Sequence, residues 1–396
     1  MDILAIGIEI ARTGIGIANA DQTGLHAEAG SESRSINPSG CAQVKHETSA
    51  PIAMQSGLAA SYINMSEAEA VDLARIHYGI EGKPTRFATE KDDTFRIAPA
   101  QGRRYVLKVA NPTEDIAEID LQIRVLEHVA ARAPELPIPR VIPNTAGEGH
   151  FLYTDRAGQS RQVRLMSFVE GQPLSEVVID TGGREEIGRL LATLRHALAD
   201  FSHPTENRVV PWDVKNLPTL APLLPEITDT VWRKKLETVL ERFASIEPRL
   251  KQCRQQVLHN DFTRSNIVAD PALPTFISGI IDFGDTVRTA IAIDVSTAML
   301  NQLPERMDGE VFAHGRDLLR GYLAIADLTE EELALIPPLI MSRLTTRILL
   351  STAMANRVPS VADYVLRNNH MTWGQIDWFL NRSMDDLGNE LIDLVR

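Results

Sequence analysis

The chain has 396 residues, of which 44% are apolar and 23% charged, and its formal net charge is −13. This length and apolar content suffice for a sizeable core, whereas the negative charge disfavours non-specific binding to nucleic acid. No apolar run reaches the roughly 20 residues that cross a bilayer, no basic region marks a signal peptide, and Cys41 and Cys253 fit no metal or redox spacing, so we expect a cytoplasmic protein with no nucleic-acid or membrane partner.

Residues 1–64 are predicted to form a disordered or loosely attached leader. The segment from Thr13 to Ser61 is rich in Gly, Ser, Ala and Asn and shows no sustained periodicity. The alternative is that this segment lies upstream of the natural start, with Met54 or Met65 as the first residue. The regular pattern begins with a helix predicted from Ser66 to Tyr78.

A strand predicted from Tyr105 to Val109 carries one lysine, Lys108, between apolar residues. Such a lysine suits contact with nucleotide phosphates, although an isolated strand lysine is more often a solvated side chain. The hairpin upstream, Thr89 to Phe95, contains no glycine-rich phosphate loop. If this hairpin covers the phosphates, its backbone amides and the Thr94 hydroxyl must bind them.

A helix is predicted from Asp115 to Ala131, because apolar residues recur there at helical spacing. Kinases place an acidic residue on the corresponding helix to orient the phosphate-binding lysine. Glu118 and Gln122 lie one turn apart and are both candidates for the partner of Lys108. We prefer Glu118.

Further helices are predicted near Gly183 to Phe201 and near Thr228 to Leu250, and their apolar faces indicate core packing. The chain is predicted to be helical after Asp294. Thr329 begins a capping box, and Pro337-Pro338 is predicted to kink or interrupt the helix that follows.

Two motifs carry the chemistry: the stretch from His259 to Asn266 and the triplet Asp282-Phe283-Gly284. In kinases, an Asp of the catalytic loop accepts the proton of the substrate hydroxyl, and an Asn five positions later and the Asp of the triplet hold a divalent metal. These positions are Asp261, Asn266 and Asp282 in this chain. Apolar flanks predict short strands that fix both loops. The alternative is that all three are ordinary turn residues.

Other residues near these motifs have more than one interpretation. Arg264 could neutralise charge on the transferred phosphoryl group or be a solvated loop residue. Asp285 could bind a second metal, face a substrate amine or close the turn. The segment from Thr289 to Leu300 already has a helical pattern, which leaves no room for a peptide-docking segment and favours a small-molecule acceptor.

These motifs, together with Asp294, Tyr105 to Asn111 and Arg164 to Gly171, resemble the aminoglycoside phosphotransferase and choline kinase superfamily. Within it the chain is most similar to the hydroxylysine kinases and related amino-alcohol kinases. The resemblance extends from about Ser66 to the C-terminus. It implies an α+β, bilobal, protein-kinase-like fold, with an antiparallel sheet plus helix in a small nucleotide-binding lobe, residues 65–168, and a larger, mostly helical catalytic and acceptor-binding lobe, residues 169–396.

The resemblance also implies roles for individual residues. Asp261 is the expected catalytic base, Asn266 and Asp282 are the expected Mg²⁺ ligands, and Lys108 is expected to contact the phosphates of ATP or GTP. The purine is expected to meet the backbone of the segment between the lobes, which comprises Met166, Ser167, Phe168 and Val169. Asp294 is expected to support the catalytic loop, and His259 is expected to fix the loop backbone rather than to touch the substrate. Trp212 and Asp213 lie in a loop near the acceptor, or Trp212 is an exposed tryptophan packed over a helix.

We therefore expect a Mg²⁺-dependent kinase that phosphorylates a hydroxyl of a small amine, with 5-hydroxylysine as the leading acceptor. A cationic acceptor would be attracted by the negative net charge. The alternatives are an aminoglycoside, homoserine or choline kinase, a catalytically silent nucleotide-binding module, and a metal-dependent hydrolase built on the same acidic residues.

Overall fold

The structure is a computed structural model that describes residues 62–87, 89, 92–273, 275–359 and 362–395. Most of the predicted leader, residues 1–61, therefore lies outside the described residues, as do Glu90 and Lys91 of the predicted phosphate hairpin. The described chain forms a sheet-rich N-terminal part and a mostly helical C-terminal part.

The N-terminal part begins with helix α1, Glu67–Tyr78. The Ser66 side chain caps it by accepting from the amide of Glu69, and it ends at Gly79, whose φ of 66° is left-handed. Six strands form one antiparallel sheet in the order β1-β2-β3-β6-β4, with β5 paired to β6. The strands are β1 Lys83–Phe87, β2 Asp93–Ala98, β3 Tyr105–Val109, β4 Val141–Ile142, β5 His150–Thr154 and β6 Ser160–Ser167. Helix α2, Ile116–Arg132, lies between β3 and β4 in the chain.

The two faces of this sheet have different partners. Leu107, Phe95 and Leu165 belong to the apolar cluster that includes α1. Side chains alternate along a strand, so the neighbouring positions point to the opposite face. There, Lys108 stands between Thr94 of β2 and Arg164 of β6 in the strand register.

The C-terminal part surrounds a large apolar core. Its helices are α3 Thr181–Ala197, α4 Thr230–Leu250, α5 Ile291–Leu300, α6 Ala313–Leu323, α7 Glu330–Arg357, α8 Ala362–Leu366, α9 Asn369–Leu380 and α10 Met384–Val395. Its strands are β7 Gln172–Pro173, β8 Gln255–Leu258, β9 Ile267–Ala269, β10 Ile277–Ile280 and β11 Val287–Ala290. The described residues of this part also include the 3₁₀ segments Leu174–Glu176, Val214–Glu226 and Phe283–Asp285. Thr289 and Ala290 belong to β11, so the helix predicted from Thr289 begins at Ile291 instead.

Helix α7 passes through the centre of this part. It starts with the predicted capping box, in which the Thr329 hydroxyl accepts from the amide of Glu332 and the Glu332 carboxylate accepts from the amide of Thr329. The predicted interruption at Pro337-Pro338 is wrong, because the helix continues to Arg357. Each proline removes one backbone hydrogen bond, but both are buried, and α7 packs against α4, α5 and α10. Those contacts compensate for the lost bonds.

The length and apolar composition of α7 would also suit a membrane span. However, 83% of its apolar window is buried inside the protein, and it is the one such helix among the described residues. We therefore interpret α7 as a core helix.

Candidate active site

Two antiparallel strand pairs bring the two sequence motifs side by side. β8 leads into the catalytic loop and pairs with β11, with Leu258 opposite Val287. β9 leaves the loop and pairs with β10, and beyond this pair the amide of Ile281 donates to the carbonyl oxygen of Asn266 at 2.8 Å. The last residue of the first motif is therefore bonded to the residue that precedes Asp282.

The Asp261 carboxylate is held at both of its oxygens. Nδ2 of Asn266 donates to Oδ2 at 2.7 Å and to the Asp261 carbonyl oxygen at 3.0 Å. Nη2 of Arg343, on α7, donates to Oδ1 at 2.8 Å. The Asp261 side chain remains 28% exposed, so a hydroxyl in the cleft can reach the carboxylate. The sequence did not predict a site role for Arg343, because this residue lies 82 residues beyond Asp261 in a helix whose apolar sequence indicates core packing.

Asp282 and Lys108 face each other across the space between the sheet and the catalytic loop. Nζ of Lys108 lies 4.0 Å from Oδ1 of Asp282, and the two side chains are 23% and 41% exposed. Asp282 has a left-handed φ of 61°, and its Oδ1 accepts from the amide of Gly284 at 3.2 Å. This tight turn presents the carboxylate to a cleft that it shares with the lysine.

Asn266 and Asp282 offer oxygen atoms that suit Mg²⁺. Nδ2 of Asn266 donates to Asp261, so its Oδ1 is the atom left to bind a cation. Mg²⁺ commonly combines one or two protein oxygens with phosphate oxygens and water. Within the described residues, no group of three or more His, Cys, Asp or Glu could hold a metal ion by itself. This donor set therefore fits a cation that nucleotide phosphates help to bind.

Two buried side chains hold the backbone of the catalytic loop. Nε2 of His259 lies 3.1 Å from the carbonyl oxygen of Ile281, and Nδ1 accepts from the amide of Asp261 at 3.2 Å. Burial lowers the pKa of His259, so the ring is neutral and carries its proton on Nε2. Oδ1 of Asp294 accepts from the amide of Asn260 at 2.7 Å, and burial raises the pKa of Asp294 to about 7. Both contacts fit the supporting roles expected for these residues.

A comparison with protein-family models shows the family to which this chain belongs. The family model described as a phosphotransferase enzyme family (APH) matches residues 85–333. This range includes Lys108, both sequence motifs and the hinge, which is the segment between the lobes from Met166 to Val169. The protein belongs to this phosphotransferase family. It is thus a small-molecule kinase with an alcohol group as acceptor, and the predicted enzyme class is confirmed.

Relatives of this phosphotransferase include several named kinases. The chain is 25% identical to a hydroxylysine kinase of Danio rerio over 320 residues, covering 76% of this chain and 88% of the relative. It is also 25% identical to a homoserine kinase of Chelativorans sp. over 299 residues, covering 70% and 82%.

Solved structures share the fold of the phosphotransferase. An amicoumacin kinase in complex with AMP-PNP and Ca²⁺ has a TM-score of 0.62 at 15% identity, covering 81% of this chain and 97% of that one. A microcompartment-associated aminopropanol kinase has a TM-score of 0.58 at 17% identity, covering 79% and 98%. The predicted α+β, bilobal, protein-kinase-like fold is confirmed.

The expected partner of Lys108 needs correction. Oε2 of Glu118 accepts from Nη1 of Arg208 at 2.5 Å, and Oε1 of Gln122 accepts from Arg164 at 3.4 Å. Neither candidate on α2 contacts the lysine, whose ion pair is with Asp282. The two arginines come from β6 and from a loop of the C-terminal part, and spacing along α2 could not reveal them.

Arg208 links α2 to the turn that carries the Asp282-Phe283-Gly284 triplet. Besides its ion pair with Glu118, it donates through Nε to the carbonyl oxygen of Thr286 at 3.0 Å and through Nη2 to that of Gly284. Its side chain is nearly buried. Arg208 therefore fixes the backbone directly after Asp282, and it too is absent from the sequence-predicted set.

Thr94 and Arg164 flank Lys108 on the cleft face of the sheet. The Thr94 hydroxyl is buried and has no hydrogen-bond partner among the described residues. Arg164 donates to Oδ2 of Asp92 at 2.9 Å, at the described end of the phosphate hairpin. The Arg164 guanidinium is therefore a second positive group beside Lys108. The pairing of β3 with β6 brings the two residues together, and the sequence alone does not show it.

The predicted purine-binding segment is partly occupied by intramolecular contacts. The amide of Ser167 donates to the carbonyl oxygen of Arg140 at 2.8 Å, and the Ser167 hydroxyl accepts from the Arg140 amide at 2.8 Å. The amide of Phe168 donates to the carbonyl oxygen of Arg104 at 2.9 Å. Met166 is buried in β6. Phe168 and Val169 lie beyond the end of β6. Of these two, Val169 has an amide with no acceptor among the described residues.

Arg264 and Asp285 both bond to segments other than the loops that carry them. Nη2 of Arg264 donates to the carbonyl oxygens of Leu174 and Val177, both at 3.1 Å. These bonds tie the catalytic loop to the 3₁₀ segment after the hinge, a role that neither interpretation of Arg264 included. The carbonyl oxygen of Asp285 accepts from Nδ2 of Asn260 at 3.3 Å. This backbone contact joins the two loops and does not choose among the three interpretations of the Asp285 side chain.

Trp212 and Asp213 are neighbours with different surroundings. The Trp212 ring lies 5.2 Å from the Arg343 guanidinium, and its carbonyl oxygen accepts from Nη1 of Arg343. Trp212 is therefore connected to Asp261 through one side chain. Asp213 is fully buried, accepts from the Thr289 hydroxyl at 3.0 Å and caps the 3₁₀ segment that starts at Val214. Burial raises the pKa of Asp213.

Proposed function

We propose that this phosphotransferase transfers the terminal phosphoryl group of ATP or GTP, with Mg²⁺, to the hydroxyl of a small amino alcohol, with 5-hydroxylysine as the leading acceptor. The observation that carries the proposal is the shared cleft in which Lys108 lies 4.0 Å from Asp282. Beside it, Asp261 is fixed by Asn266 in the order and spacing of a kinase catalytic loop.

Each residue has a separate chemical task in this proposal. The acceptor hydroxyl gives its proton to the Asp261 carboxylate as its oxygen attacks the terminal phosphorus, the bond from that phosphorus to the bridging oxygen breaks, and ADP or GDP leaves. The Lys108 ammonium neutralises charge on the phosphates, and the loop bonds of His259 and Asp294 keep the base in place. Mg²⁺ bound through Asn266 and Asp282 would neutralise the phosphate oxygens.

The named relatives support the choice of acceptor. The relatives called hydroxylysine kinase and homoserine kinase are named for acceptors that are both hydroxy amino acids, and each covers over two thirds of this chain. Homoserine is therefore the second candidate. We extend the proposal to a cytoplasmic location, because the reaction draws on ATP and Mg²⁺.

A panel of acceptors tests the proposal, with ADP or GDP release as the readout. We expect turnover with 5-hydroxylysine or homoserine above that with choline or an aminoglycoside, for each purine donor. Faster turnover of an aminoglycoside would contradict the acceptor assignment. Nucleotide binding without turnover of any acceptor would favour a silent binding module, and hydrolysis without nucleotide affinity would favour a hydrolase.

The base assignment has its own test. We expect Asp261→Ala to lower turnover by roughly 100- to 10,000-fold, which is the usual contribution of a positioned base. Affinity for ATP with Mg²⁺, measured by isothermal titration calorimetry, should stay close to that of the parent, because Asp261 is not expected to touch the nucleotide. An unchanged turnover number would show that another group accepts the proton.

A further inference from the structure

Arg343 connects the central helix of the C-terminal part to the candidate base. It lies on α7 and is 4% exposed. Its Nη2 donates to Oδ1 of Asp261 at 2.8 Å, its Nη1 donates to the carbonyl oxygen of Trp212, and its guanidinium lies 5.2 Å from the Trp212 ring. One rigid group thus bridges a helix, a loop and the candidate base.

These contacts leave the Asp261 carboxylate little rotational freedom. Arg343 holds Oδ1 from α7, while Asn266 holds Oδ2 from the end of the catalytic loop. Two donors on different elements fix the plane of the carboxylate, and an ionised carboxylate has about four acceptor sites. The remaining sites therefore point in defined directions, which a base needs because small displacements of reacting groups cost large factors in rate.

The residue type matters as well as the position. A guanidinium is planar and presents several N–H groups in a fixed fork, so it can reach Trp212 and Asp261 at the same time. A lysine ammonium is a compact group that can satisfy one of these acceptors well. The aromatic ring beneath the guanidinium further restricts its position.

A purely structural role for Arg343 has to be weighed against this one. Asp294 is buried nearby, and Arg343 opposes the rise in the pKa of Asp294 that its burial causes. Asp213 is buried too, but it has its own ion pair with Lys215 at 3.0 Å. Arg343 could thus serve only to neutralise buried charge, and a direct test must separate the two roles.

We infer that Arg343 is a positioning residue for the phosphoryl transfer, acting through Asp261 by fixing the orientation of its carboxylate. The inference rests on the proposed function of Asp261 and adds Arg343 as the residue that orients its carboxylate. Arg343 itself touches neither phosphate nor metal in this assignment. Its effect on turnover should therefore disappear when the base is removed.

A double-mutant cycle tests this dependence. The four proteins are the parent, Asp261→Asn, Arg343→Met and the double variant, with initial rates measured by a radiolabelled phosphate assay. We expect Arg343→Met alone to lower kcat by about 10- to 100-fold, the effect of a misplaced reacting group, with the nucleotide KM nearly unchanged. In the Asp261→Asn background the same substitution should cost less than about 3-fold, because interacting residues give non-additive effects.

A matched control separates positioning from lost stability. Arg195, on α3, is 7% exposed and donates to the Tyr322 hydroxyl at 2.9 Å and to the Asp327 carbonyl oxygen at 2.5 Å, with no contact to the catalytic loop. We expect Arg195→Met to lower the melting temperature but to act independently of Asp261→Asn. If Arg343→Met does not fold, Arg343→Lys serves in the cycle, and it should retain part of the activity.

The outcomes distinguish the inference from the function on which it rests. An equal cost of Arg343→Met in both backgrounds would make Arg343 a structural residue and overturn the inference alone. A raised acceptor KM with unchanged kcat would mean that Arg343 binds the acceptor, which also overturns it. Full activity of Asp261→Asn would instead refute the base assignment, and the inference with it.

Discussion

Asp294 is a carboxylate that the fold encloses completely behind the catalytic loop. Burial raises its pKa from the ordinary value of 3.8 to about 7, although the amide of Asn260 and the charge of Arg343 act in the opposite direction. A group with a raised pKa in the folded state binds its proton more tightly there. Its contribution to stability is therefore fully present below about pH 4 and is lost as the pH rises through about 7.

We predict that Asp294→Asn removes this part of the pH dependence of the free energy of unfolding. The amide oxygen of Asn can still accept from Asn260, so the loop contact is kept. Denaturant unfolding between about pH 5 and pH 8 measures the effect. The parent should lose stability relative to the variant as the pH rises. Parallel profiles would contradict the prediction.

At the scale of elements, α2 is coupled to the turn that carries Asp282, the proposed Mg²⁺ ligand, and not directly to the lysine. Glu118 binds Arg208, and Arg208 binds the carbonyl oxygens of Gly284 and Thr286. Groups that orient metal ligands typically affect metal affinity by 10- to 100-fold. If Asp282 binds Mg²⁺ as proposed, the position of α2 should therefore influence the affinity for Mg²⁺.

We predict that Arg208→Met raises the Mg²⁺ concentration for half-maximal activity by about 10-fold or more, and that Glu118→Gln raises it less. The reason is that the turn after Asp282 loses its side-chain support. Glu127, in an exposed ion pair with Arg124 on the same helix, offers a matched control, since Glu127→Gln should leave Mg²⁺ dependence unchanged. Identical Mg²⁺ titrations for all three variants would disprove the coupling.

The elements themselves show where local sequence patterns are reliable. Strand Tyr105–Val109 and the capping box at Thr329 follow from rules that involve only neighbouring residues, and both predictions match the structure. The continuity of α7 through Pro337-Pro338 depends instead on the helices packed around it. Contacts made by residues distant in sequence decide that outcome, and local propensity does not describe them.

At the scale of the whole molecule, Lys108 of the N-terminal sheet and Asp282 of the C-terminal part approach to 4.0 Å. We predict that Lys108→Met weakens binding of ATP with Mg²⁺ by about 10- to 100-fold, the usual cost of a lost hydrogen bond to a charged group. Isothermal titration calorimetry measures this. Lys83 is an exposed residue of β1 in the same sheet, so Lys83→Met is the control. Equal nucleotide affinities of Lys108→Met and Lys83→Met would contradict the prediction.

The candidate site, like the fold, has parts that local sequence patterns predict and parts that they do not. Asp261, Asn266 and Asp282 could be predicted because their spacing within two short motifs is itself the signal. Arg208 and Arg343 could not, because each reaches the site from a distant segment through one long side chain. The partner of Lys108 was mispredicted for this reason: a competing arginine bound Glu118, and no pattern along α2 could indicate it.

The hydrogen bonds of the hinge have a consequence for inhibitor design. Since the amides of Ser167 and Phe168 already donate to Arg140 and Arg104, a flat heterocycle copied from protein-kinase drugs would find few donors along this edge. Compounds that rely on several parallel contacts there should lose affinity for this enzyme. Scaffolds that need a single backbone donor and gain the rest of their affinity from apolar contact should be selective for it.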